Sequence, residues 1–182
     1  MAPLLFPTLL SLLWLWPFAT GPSVSVNPWL FTLACAALWV LLSRCGGAHG
    51  RGMAFGLFAA ALLSTLIGLT QFFDGARHLA SWVNDSATGE VFANLRQRNQ
   101  FASLTNIGLM SLLAVLALAR WPTGRFGLAL ALAASALLGV GNALSLSRTG
   151  LAQLLLGLAL ALLWGLLGKA RVRWVLVAAV LV

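Results

Sequence analysis

The sequence predicts an all-α fold, a polytopic bundle of transmembrane helices with about six complete spans and a shortened seventh. Three observations carry that expectation. Of 182 residues, 61% are hydrophobic and 8% charged, and mean hydropathy is +0.98, a composition outside the range of soluble globular domains. The apolar residues fall in continuous runs, most of them near the ~20 residues needed to cross a bilayer. The basic residues gather in short links between runs, as positive-inside topology requires. The net charge of +8 is thereby assigned to membrane orientation, and no nucleic-acid partner is expected.

Taken in order, residues 3–18 form a first, kinked span with Pro3, Pro7 and Pro17. No basic residue precedes Arg44, which argues against a secretory signal. After a turn-rich stretch at 21–28, a short second span covers 29–42, with Trp29 at its interfacial end. A glycine-rich basic link at 44–51 leads to a third span at 53–73. That span opens on Gly52-x-x-x-Gly56, a spacing that permits close helix approach.

Residues 74–98 are the long polar segment and hold all three acidic residues, Asp74, Asp85 and Glu90. A fourth span follows at 99–119, then a basic turn at 120–125, a fifth span at 126–144 and a sixth at 149–167. Lys169, Arg171 and Arg173 come next, and 174–182 supplies nine apolar-run residues where ~20 are needed. Residues 1–182 are accordingly expected to be one transmembrane domain, the N-terminal part of a longer chain.

Cys35 lies inside an apolar run and Cys45 in a link, which gives neither a disulfide framework nor metal-ligand spacing. His49 and His78 are isolated and read as loop histidines. No metal site is expected.

Orientation follows from the basic residues on alternate links. Arg44, Arg51, Arg120, Arg125, Lys169, Arg171 and Arg173 lie on one side with no acidic residue; Arg77, Arg96, Arg98 and Arg148 lie on the other with all the acids. The first set is expected to be cytoplasmic, which makes the N-terminus cytoplasmic and places the 74–98 loop outside; the resemblance given below implies that this is a periplasmic loop of a bacterial inner-membrane protein.

That orientation gives each polar residue a depth. Ser64, Gly68 and Gln71 share one helical face by i, i+4, i+7 spacing, as do Asn99, Ser103 and Asn106; Ser135, Gly139 and Asn142 do the same, and Thr149 pairs with Gln153. All four stripes fall in the outer half, with Ser111 near mid-depth as an exception. Such groups can simply hydrogen-bond between helices, each worth about 0.6 kcal/mol on average. Four stripes at one depth predict instead an outward-opening polar cavity, since intramembrane polar groups mark substrate paths. Arg96, Arg98 and Arg148 face the same interface, and arginine offers a planar fork that grips phosphate at two points. The alternative for each is an interfacial anchor. No P-loop, helical carboxylate pair or His/Cys cluster is present.

The stretch from Asn94 to Asn106, Asn-Leu-Arg-Gln-Arg-Asn-Gln-Phe-Ala-Ser-Leu-Thr-Asn, resembles the signature of bacterial O-oligosaccharyltransferases. These protein glycosylation ligases are related to O-antigen ligases and polymerases, and in them Gly-Asn-Leu-Arg-Gln-x-Asn opens a membrane span. Ala93 stands where the family usually has glycine. Leu146-Ser147-Arg148-Thr149-Gly150 resembles a second span-opening element of the same superfamily.

The resemblance implies a membrane-embedded part of a glycan ligase. It would take a glycan from undecaprenyl diphosphate on the periplasmic face and pass it to a protein Ser or Thr hydroxyl or to lipid A core. No cofactor is implied, because the donor is already activated. Arg96, Arg98, Asn99, Gln100 and, with less weight, Arg148 are the implied substrate-binding residues. The catalytic histidine of the family is expected beyond residue 182, and 1–182 alone is expected to be inactive. An O-antigen polymerase, a polyprenyl-glycan transporter and a non-catalytic assembly subunit stay open. A transporter favours internal repeats and polar groups at the midplane, whereas these stripes lie to one side of it.

Overall fold

The computed structural model describes residues 46–79, 82–95, 97–118 and 124–167, without the side chains of 46–49, 118 and 164–167. The described residues are helical with no strand: α1 (Gly46–Phe72), a short 3₁₀ helix (Gly75–Leu79), α2 (Arg98–Leu118), α3 (Gly124–Leu144) and α4 (Arg148–Leu167). Three stretches are long and apolar enough to cross a membrane, Gly50–Phe72, Arg98–Ala117 and Gly124–Leu144; Arg148–Leu163 is apolar but shorter. The expected spans at 3–18, 29–42 and 174–182 lie outside the described residues, so the described chain does not reach the expected count of six.

The third to sixth expected spans correspond to α1 to α4, with boundaries within a residue or two except at the start of α1. The basic link there, through His49 and Arg51, is helical from Gly46 onward. Intrahelical bonding is the cheapest way to satisfy backbone groups next to an apolar phase, and it overrides the poor helix propensity of the link's glycines.

The four helices alternate in direction. Gly68 meets Phe101 and Gly108 meets Ala61, so α1 and α2 run antiparallel; Gly108 also meets Leu138, and Gly141 meets Thr65. The core between them is Phe58, Ala61, Phe101, Leu104, Leu112 and Leu138. Two small-residue crossings set the spacing. A Cβ added at Gly108 would overlap that of Ala61, and one at Gly150 would overlap that of Ala102, so α2 lies close against both α1 and α4. The Gly52/Gly56 pair that the sequence offered for close approach is buried, but the Cβ-to-glycine contacts fall a turn or more further along α1.

The polar segment between α1 and α2 is folded down onto the bundle. Val91, Ala93 and Leu95 point inward at alternate positions and join the core, while Asp85, Ala87, Thr88 and Glu90 face out. Ala93 adopts φ +53° and Gly89 φ +85°. A left-handed conformation costs a non-glycine residue about 1–2 kcal/mol, so position 93 is one where glycine would fit without strain.

Candidate functional site

Two amide side chains hold the segment in place. Gln71, on the last turn of α1 and 1% exposed, donates from Nε2 to the carbonyls of Asn84 (3.0 Å) and Ala93 (2.9 Å). Its Oε1 accepts the N–H groups of Phe92 (3.1 Å) and Ala93 (2.7 Å). Both donors and both acceptor positions of the carboxamide are thus in use. Asn94 makes the second clasp: its Oδ1 accepts from Asn84 N–H at 3.0 Å and its Nδ2 donates to the Trp82 carbonyl at 2.8 Å. These six bonds fix the backbone that leads into the arginine-bearing turn.

Helices α2 and α4 begin side by side at that end. The Gln97 carbonyl accepts the first helical N–H groups of α2, from Gln100 (3.1 Å) and Phe101 (3.2 Å). Ser147 is the N-cap of α4: its Oγ accepts from Gly150 N–H at 2.9 Å, the bond expected of a serine in that position. The same hydroxyl donates to Asn99 Oδ1 at 2.8 Å and ties the two helix openings together. Arg98 and Arg148 are the first residues of their helices and are both exposed. Neither is paired with a carboxylate among the described residues, where the ion pair present is Asp74–Arg77 at 3.1 Å. Two positive helix ends and two arginines at one end of the bundle make it an anion-favouring surface.

The structure therefore brings Arg98, Asn99 and Arg148 to one end, with Gln100 exposed on the first turn of α2. Arg96 lies outside the described residues.

Below this end the polar stripes meet, but not as an open polar cavity. Asn142, 4% exposed, shares the two N–H groups of Nδ2 among Asn106 Oδ1 (2.9 Å), Thr105 Oγ1 (3.1 Å) and Ala102 O (3.3 Å). Asn106 Nδ2 donates to Gly150 O at 2.8 Å and Gln153 Oε1 at 3.4 Å. Ser103 Oγ donates to Gln153 Oε1 at 2.9 Å. In an apolar medium these amides satisfy one another first, and Gln71 is spent on the loop. The Ser64 hydroxyl is buried with no partner.

Among the described residues there is a groove of about 480 Å³, lined by Met53 and Leu57 of α1, Ser103, Asn106, Met110 and Ser111 of α2, and Gln153 of α4. Ser103, Asn106 and Gln153 make it polar toward the arginine end, and away from it the lining is apolar except for Ser111.

Sequence reasoning singled out Arg96, Arg98, Asn99, Gln100 and Arg148 and placed Gln153 in a polar stripe, but gave no site role to Ser147 or Asn94. Ser147 was legible as a cap, standing directly before an apolar helical run. The Asn94 clasp depends on pairing across the loop, which no periodicity reports.

Residues 91–117 match the family model described as "Protein glycosylation ligase". The matched stretch is 27 of 182 residues (91 to 117), running from the inward-facing Val91 through most of α2. It thus holds the loop end that Gln71 grips, the arginine-bearing turn, and Asn99, Ser103 and Asn106. No curated protein and no solved structure matches the chain significantly.

Proposed function

We propose that this chain is the membrane-embedded, donor-binding part of a protein glycosylation ligase. It would take a glycan from a polyprenyl diphosphate, undecaprenyl diphosphate in a bacterial inner membrane, and pass it to a protein hydroxyl on the periplasmic side. The observation that carries the reading is the convergence of Arg98, Asn99 and Arg148 where α2 and α4 begin, inside or beside the stretch similar to protein glycosylation ligases. In this role the arginines and the two helix ends hold the diphosphate, the leaving group of the transfer. The apolar part of the groove lies where a polyprenyl chain would follow. Arg96, three residues from the Ala93 clasp, belongs to the same binding set.

The experiment is transfer measured on spheroplasts, with acceptor protein supplied outside and the gene at its native locus carrying Arg98→Lys and Arg148→Lys. Lysine keeps the charge but loses the two-point fork, so transfer should fall about ten- to a hundred-fold, the equivalent of about 1.5–3 kcal/mol for a charged hydrogen bond. Asp85→Asn should leave the rate unchanged. Equal transfer by the double lysine variant would reduce these arginines to interfacial anchors and remove the main support for the reading.

A further inference from the structure

We infer that Gln153 is a further donor-binding residue, presenting its amide N–H groups into the groove to an oxygen of the lipid-linked phosphate; this rests on the ligase reading above. The argument is one of hydrogen-bond direction. An amide can be turned either way unless a group that only accepts, or only donates, fixes it. Two main-chain carbonyls do so here. Ala102 O receives Asn142 Nδ2 and Gly150 O receives Asn106 Nδ2. With both nitrogens committed, Asn106 Oδ1 must be the acceptor for Asn142. The Gln153 atom that meets Asn106 Nδ2 must likewise be an acceptor, Oε1. Ser103 Oγ adds a second donor to the same oxygen.

The Gln153 carboxamide is therefore held with its oxygen toward α2. Its Nε2 has no partner among the described residues, and the side chain is exposed and lines the groove. Gln71 shows the contrast, since its amide nitrogen is fully used.

Depth and charge identify what this amide meets. Gln153 and Ser103 each lie five residues inward of the arginine that opens their helix, about 7.5 Å along the axis at 1.5 Å per residue. A ligand that fits has anionic oxygens at the Arg98/Arg148 level, an acceptor oxygen a little deeper, and an apolar chain along Met53 and Met110. A lipid phosphate has that order of groups. Free diphosphate has the first two and lacks the third.

The test is binding to the purified full chain in nanodiscs, with a polyprenyl phosphate as the probe, the matching polyprenol and inorganic diphosphate as comparison arms, and Gln153→Glu and Gln153→Met as variants. Gln153→Glu keeps the acceptor that Ser103 and Asn106 use and replaces the groove-side donor with an anionic oxygen. Gln153→Met removes the donor without adding charge. Both should weaken polyprenyl phosphate binding, by about ten-fold or more for one hydrogen bond to a charged group, and leave polyprenol binding unchanged. A loss confined to Gln153→Glu would mean simple charge repulsion and overturn the inference, as would equal binding by Gln153→Met and the unmodified chain. If inorganic diphosphate binds as well as the lipid phosphate, the groove is not where the ligand lies and the inference fails while an arginine site survives. If the unmodified chain binds no polyprenyl phosphate, the ligase reading itself falls.

Discussion

The clasp at the end of α1 and the edge between α2 and α4 are built from the same chemistry, carboxamides within two turns of a helix end, and end in opposite states. Gln71 is buried and saturated by four main-chain bonds. Asn99 and Gln153 are exposed, and among the described residues each receives bonds on its oxygen alone. A saturated amide is a fastener. An amide fixed by its oxygen, with free N–H groups, is an oriented donor. The difference teaches that residue type at one depth does not assign a role; the number of groups left over after the protein has satisfied itself does.

The largest effect should come from breaking the fastener. Gln71→Leu keeps the apolar volume but strands two carbonyls and two N–H groups that the bundle covers, and one buried unsatisfied group costs about 1–3 kcal/mol. We expect amide exchange at Phe92 and Ala93 to rise at least about a hundred-fold, equivalent to ~2.7 kcal/mol, while α3 exchanges as before. Unchanged protection at Phe92 and Ala93 would mean that core packing of Val91 and Leu95 holds the segment by itself.

Ser147→Ala attacks the open edge and should cost less. It removes an N-cap, worth about 1 kcal/mol, and frees Asn99 to rotate. Thermal unfolding in detergent should shift by a few degrees, and Ser147→Thr, which keeps the hydroxyl, should restore it. A threonine variant as unstable as the alanine one would show that the loss came from the backbone turn and not from the cap.

Arg77→Ala should be nearly silent. The Asp74–Arg77 pair is solvated, with side chains 43% and 67% exposed, and such pairs contribute about 0–1 kcal/mol. A clear loss of segment protection in this variant would extend the clasp beyond the two amides.

Much of the fold could be read from apolar runs, because run length and basic links constrain spans directly. The α2, α3 and α4 boundaries were legible for that reason, and Ser147 and Arg148 mark a helix start on sight. The start of α1 was not, since Gly46, Gly47 and Gly50 signal a link and yet lie in a helix. The polar stripes were legible as faces, and the structure joins three of them at Asn142, Asn106 and Gln153. Their state was not legible. Whether an amide closes on a neighbour or stays open depends on which helix stands opposite, and that is set by the Ala61–Gly108 and Ala102–Gly150 crossings, contacts between residues far apart in the chain.

The Gln71 clasp also has a place in time. Its partners lie 13 to 22 residues downstream, and at about 5–20 residues per second of synthesis the last of them follows within about 1–4 s. The partners in the six bonds described above, Trp82, Asn84, Phe92 and Ala93, are all made before the first residue of α2. These six bonds need no residue that comes later, so they can form on the ribosome as soon as α1 and the segment have emerged, before α2 arrives to cover them.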